Sequence, residues 1–342
     1  MIGLTFILSA CATGPRVTGS PGITLTDDQV FVAYGSFVFA LDAATGNVIW
    51  HFPPDSSNQI LFFAQPYVND EFVFVGDVAN NFYKINIDTG TAAWTFSEAK
   101  GYFIGQAIEE NGIVYAPSND GNLYAIDDQG NLLWVFETGH FLWSQPQVSA
   151  DAIYLGAMDA FVYAISKDGQ ELWSTEMAGA VVGAPALSED GSRLYVGSIG
   201  NDMVALDTTD GSVVWSAEAG DSIWGGAALA DGTLFFADTS GVLYLLDPRT
   251  GNEKQRFQMG NPIVGGITPV PDGIALTTEQ GTVKVLGYDG VSKWEAGVSG
   301  EVFQRPVANE DYLMVAAIGG DNLVYAFNLS TGGQIWARTP EK

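Results

Sequence analysis

One short phrase recurs along this chain and leaves it little freedom in how it can fold. It is clearest at Leu41–Trp50, LDAATGNVIW, the end of one strand, a tight turn closed by Gly46, and a second strand carrying Trp50. It returns at Ile85–Trp94, Ile126–Trp134, Ile165–Trp173, Leu206–Trp215, Leu246–Gln255, Leu286–Trp294 and Phe327–Trp336. Trp50, Trp94, Trp134, Trp173, Trp215, Trp294 and Trp336 form a column with Gln255 in the sixth place, at steps of 39 to 44 residues. A period near 40 with strand patterning predicts a propeller of four-stranded blades. No helical periodicity competes with it.

Within each unit an apolar segment such as Ala64–Val68 or Gly183–Leu187 comes first. A β-rich run such as Phe72–Val75 or Leu194–Val196 follows a turn. A third strand then shows aromatic–Ala–aliphatic spacing, as in Phe39-Ala40-Leu41 and Tyr163-Ala164-Ile165, before the turn into the Trp strand. The fold class is therefore all-β, an eight-bladed β-propeller of four-stranded antiparallel blades over 22–340. The units run 22–53, 58–97, 102–138, 142–178, 181–219, 223–259, 263–298 and 302–339. Each unit can supply one whole blade; shifted strand boundaries would equally allow a closing blade shared between the two ends.

The turn residues have local explanations. Asp42, Asn86, Asp207, Asp247 and Asn328 stand four residues before the turn glycine, where their side chains can cap turn amides, and Gly supplies the positive φ. The Trp side chains are expected to cover the neighbouring blade, each N–H finding one partner. Gln255 would put an amide where the column otherwise buries an indole, and the junction beside blade six is expected to be the weakest.

The 40 acidic residues outnumber 13 basic ones, for a net charge of −27. No basic footprint for a nucleic acid is present; the acidity is expected to be a solvated, solubilising surface. Cys11 is the only cysteine, so no intrachain disulfide can form. The apolar stretch 1–10, ending Leu8-Ser9-Ala10 before Cys11, resembles the lipobox of bacterial lipoprotein signal peptides, although no Lys or Arg precedes its apolar core. That resemblance implies cleavage before Cys11, lipidation of its thiol and an extracytoplasmic, membrane-anchored protein. Residues 11–21, punctuated by Gly14, Pro15, Gly19 and Pro21, form the expected tether.

The pattern aromatic–Ala–Leu–Asp–x–x–Thr–Gly–x–x–x–Trp resembles the repeat of the pyrroloquinoline quinone (PQQ) propeller superfamily, and with the lipobox and tether the chain resembles its BamB family. That resemblance implies a monomeric, non-enzymatic scaffold binding protein partners in the cell envelope, among them a β-barrel assembly complex. The superfamily's PQQ-dependent dehydrogenases are the alternative. Those enzymes use an Asp base, a Ca²⁺ site and commonly a disulfide of adjacent cysteines; this chain cannot form that disulfide and its units carry no long insertions. No loop has the oxygen-ligand density of a calcium site. His51 and His140 fall in different units and assemble with no catalytic constellation. Neither PQQ nor a metal is assigned.

One set of positions varies where the rest repeat. Phe63, Ile104, Trp143, Val182, Trp224, Val264 and Phe303 align ahead of the first strands, and two residues later stand Gln65, Gln106, Gln145, Ala184, Gly226, Gly266 and Arg305. If first strands line the axis, Gln65, Gln106, Gln145 and Arg305 converge near Trp143 and Trp224 as a candidate ligand or partner site. The competing expectation is that the large residues pack between blades while the Gln side chains bond to one another or to channel water.

Overall fold

The computed structural model describes residues 19–57 and 59–341. Cys11, the segment 1–10 and most of 11–21 lie outside them. Eight four-stranded antiparallel sheets follow one another, each with its strands in chain order. They occupy 22–52, 67–96, 108–137, 147–176, 186–218, 228–258, 267–297 and 307–338. Every blade comes from one unit, and no strand is exchanged between the two ends. Among the described residues no helix is long and apolar enough to cross a membrane.

The near-continuous apolar runs of the second and third strands follow from the ring. Side chains of a strand alternate between its faces, and each face meets a different neighbour. In Gln29–Tyr34, Phe31 and Ala33 enter the core shared with blade two, while Val30 and Val32 enter the core shared with blade eight. The core is thus eight cores, one between each pair of blades.

The recurring phrase is the joint between those blades. Asp42 Oδ1 accepts from the Thr45 amide at 2.8 Å and the Thr45 hydroxyl at 2.7 Å, and Asn86, Asp247 and Asn328 make the equivalent amide contacts. These bonds favour the charged form and hold the Asp42 carboxyl below its ordinary pKa. Each indole N–H crosses to a carbonyl in the next blade's turn: Trp50 to Ile87 at 2.7 Å, Trp173 to Thr208 at 3.0 Å, and Trp336 to Ala43 at 2.9 Å, which closes the ring. The next turn's glycine lies on the indole face. Gly46 has φ +69°, and a Cβ there would come within 2.8 Å of the Trp336 ring, so the position needs glycine for both conformation and space.

Two expectations need correction. At blade six the junction does not lack an aromatic ring. Gln255 is exposed, and Phe257, two residues on and on the same strand face, lies under the next turn: a Cβ on Gly290 would fall 2.2 Å from its ring. The first strands are also shorter than their apolar segments suggest. Ladder pairing begins only at Tyr67–Val68 and Ala186–Leu187, because Pro66 and Pro185 just before them have no N–H to give.

Candidate functional site

Wedge-shaped blades approach each other most closely at the ring's axis, and glycines mark that layer. A Cβ on Gly225 would stand 2.3 Å from the Gly266 Cα, on Gly265 2.5 Å from the Arg305 nitrogen, and on Gly22 2.5 Å from the Gln65 Cα. Each of these approaches joins segments at or just ahead of the first strands of neighbouring blades; other close approaches lie in the loops, as at Gly179 against Gly200.

Register then sorts the layer. In every blade one first-strand residue faces the second-strand residue that pairs in turn beside the Trp column: Thr24 with Phe31, Tyr67 with Phe74, Gln147 with Tyr154, Val307 with Met314. Two residues before it stand Gly22, Gln65, Gln106, Gln145, Ala184, Gly226, Gly266 and Arg305, in blade order. The four polar residues singled out in the sequence therefore occupy one equivalent position, just outside the ladder rather than within it. Three consecutive blades carry glutamine, four carry Ala or Gly, and Arg305 stands between Gly266 and Gly22. In a ring of eight, blade eight lies across the axis from blade four, so Arg305 is opposite Gln145.

These side chains are not equally engaged. Gln106 Nε2 donates to the Pro66 carbonyl at 3.0 Å, and Gln65 Nε2 reaches Thr24 Oγ1 at 3.4 Å, so both tie neighbouring blades together. The competing expectation of Gln–Gln bonding is not met by these two: their partners are a backbone carbonyl and a threonine. Among the described residues, none hydrogen-bonds to the Gln145 amide or the Arg305 guanidinium. Burial alone lowers the Arg305 pKa, with no acidic neighbour to raise it.

The two tryptophans two residues ahead divide likewise. Trp143 is partly buried and donates to Asn119 Oδ1 at 3.0 Å. Trp224 is 40% exposed. His51 is fixed beside Phe37 and against the Pro53 carbonyl, while His140 packs on Phe141; the two are in different blades. A recess of about 450 Å³ where blades seven, eight and one meet, lined by Asp27, Pro269, Pro271, Asn309, Glu310 and Asp311, had no signal in the repeat. It arises because ring closure brings residues nearly a whole chain apart together.

A family model described as outer membrane protein assembly factor BamB matches residues 9–135, 100–219, 158–263 and 239–342. An outer membrane protein assembly factor BamB of Burkholderia pseudomallei is 31% identical over 126 residues, covering 36% of this chain and 32% of that one. A quinoprotein ethanol dehydrogenase of Pseudomonas putida is 33% identical over 118 residues, covering 34% of this chain and 18% of that one. The matches thus span less than a third of either relative's own length. The crystal structure of BamB from Moraxella catarrhalis superposes with a TM-score of 0.77 at 16% identity, over 90% of this chain and 96% of that one; this likeness is one of fold.

Proposed function

Because the chain belongs to the family of outer membrane protein assembly factor BamB, we propose that it is a lipid-anchored, non-enzymatic scaffold of outer-membrane protein assembly. The observation carrying this reading is the match of that family's model along nearly the whole propeller. The architecture is compatible with it. Each blade is four strands and short turns, leaving loops and faces for protein contact rather than a pocket walled by insertions. Cys11 is the proposed site of the lipid, holding the propeller to a membrane outside the cytoplasm, and a single chain completes the ring without a second copy.

The similarity to a quinoprotein dehydrogenase favours a second reading, quinone-dependent oxidation. The donor set of the axial layer does not fit it. That layer offers amides, one guanidinium and no carboxylate, and among the described residues no three His, Cys, Asp or Glu side chains gather to hold a metal. No reaction step is derived through a quinone.

The test is crosslinking of the full chain in its native envelope, followed by detergent extraction and affinity isolation. Recovery of β-barrel assembly subunits, lost when Cys11→Ala releases the protein from the membrane fraction, is the expected outcome. Absence of any envelope protein partner would reject the scaffold. Dye-linked alcohol oxidation by purified protein supplied with PQQ and Ca²⁺ would reject the non-enzymatic part.

A further inference from the structure

The scaffold reading leaves one charged group on the axis without a role. Among the described lysines and arginines, Lys84, Lys167, Arg193, Lys284 and Arg305 are at least partly buried. Lys84 meets Asp128, Lys167 meets Glu110 at 2.5 Å, Arg193 meets Asp207 at 3.0 Å and Lys284 meets Glu295 at 2.8 Å. Arg305 meets none. In a chain with 40 acidic and 13 basic residues, the absence of a carboxylate beside this cation is conspicuous. A guanidinium drawn out of bulk water without a counter-charge is unfavourable, and an anion from outside the chain would relieve that.

The layer offers no side chain to balance it. On the same layer both neighbours of Arg305 are glycines, Gly266 and Gly22, and beyond Gly266 come Gly226 and Ala184, so this arc presents almost no side chain. Across the axis Gln145 keeps an amide that none of the described residues engages. A cation and, across the ring, an amide donor, neither engaged by the described residues, make a site for an oxyanion. A planar guanidinium matches the two oxygens of a carboxylate. The −27 charge of the chain penalises a doubly charged phosphate more than a singly charged carboxylate.

We propose that Arg305, opposite Gln145 in the ring and flanked by Gly266 and Gly22, anchors a monocarboxylate at the axial layer. This holds whether or not the scaffold role does. The carboxylate belongs either to a small free acid or to the C-terminus of a peptide, and the experiment separates them.

Purified full-length protein is titrated with sodium acetate, sodium phosphate, triglycine and triglycine amide, with chloride holding ionic strength constant. Binding is read by saturation-transfer NMR on the ligand and by Trp fluorescence. Saturable binding of acetate, weaker binding of phosphate, and an affinity about tenfold lower in Arg305→Gln are expected. Arg305→Lys, which keeps the charge but loses the fork, should fall between them and decides the matter if the Gln variant does not fold. Triglycine displacing acetate where its amide cannot identifies a peptide terminus as an acceptable source; failure of both to displace leaves the small acid. No saturable acetate binding, equal binding by the Gln and Lys variants, or phosphate binding as tightly as acetate would overturn the proposal.

Discussion

An outer-strand indole does two things in this ring: it covers the glycine of the next turn and donates its N–H to that turn's carbonyl. Phe257 does the first and cannot do the second. The junction beside blade six therefore keeps its apolar contact and lacks one hydrogen bond of about 1 kcal/mol. Phe257→Ala should destabilise by roughly 2–3 kcal/mol, somewhat below the range for a fully buried ring because Phe257 is partly exposed. Gln255→Ala, at an exposed side chain, should stay within about 0.5 kcal/mol, and Trp173→Ala, at a site 8% exposed, should cost roughly 3 kcal/mol. Urea midpoints of the three variants check this; a Gln255→Ala cost equal to that of Trp173→Ala would refute it. The substitution at 255 was visible in the sequence, but its compensation was not. Aligning the units on one column hides a ring displaced by two residues, although a strand's period of two keeps it on the same face.

At the scale of the blade, the loop between second and third strands holds a device that the repeat phrase does not contain. Tyr83, Tyr124, Tyr163 and Tyr244 each donate a phenol hydrogen bond to an aspartate of their own loop, Asp77, Asp120, Asp159 and Asp238, at 2.7 to 2.9 Å. The Asp–x–x–x–Tyr spacing of Asp120–Tyr124 and Asp159–Tyr163 was legible. No single spacing marks the device, because Asp77 and Asp238 stand two residues earlier in loops of the same length. Burial, then the bond to Asp120, pushes the Tyr124 phenol up to about 12 from an ordinary 10.0, and Tyr83 and Tyr163 move the same way for the same causes. The folded chain thus holds these protons more tightly than the unfolded one. Their contribution is complete below pH 10 and is lost as pH rises toward 12. Urea midpoints should fall across that interval, and Tyr124→Phe should make the fall shallower. Tyrosinate absorbance appearing in the folded protein with an ordinary phenol titration would contradict the argument.

At the scale of the whole ring, the fold and blade count followed from the repeat, but the manner of closure did not. Either a shared blade or a side-chain seam was consistent with the phase of the units. The structure uses the seam. Trp336 donates to Ala43, Asn309 Nδ2 to Thr26 at 2.9 Å and Arg338 Nε to Thr45 at 3.1 Å, around the core of Ile23, Phe39, Met314 and Val324. The other seven junctions join blades that a short linker keeps together even when the contact opens. Here the partners are 293 residues apart at the Trp336 bond, so reclosure carries the entropy of a far longer loop. Opening should therefore begin at this seam, helped by mutual repulsion within a chain of charge −27. Native-state hydrogen exchange should show amides of Gln29–Tyr34 and Tyr312–Ala316 exchanging faster than those of Ala152–Gly156. Added salt should narrow the difference by screening the repulsion. Trp336→Ala should widen it by roughly a hundredfold, the equivalent of about 3 kcal/mol lost at the seam alone. Uniform protection around the ring, before and after that substitution, would mean that the blades open only together and that the seam is no weaker than the tethered junctions.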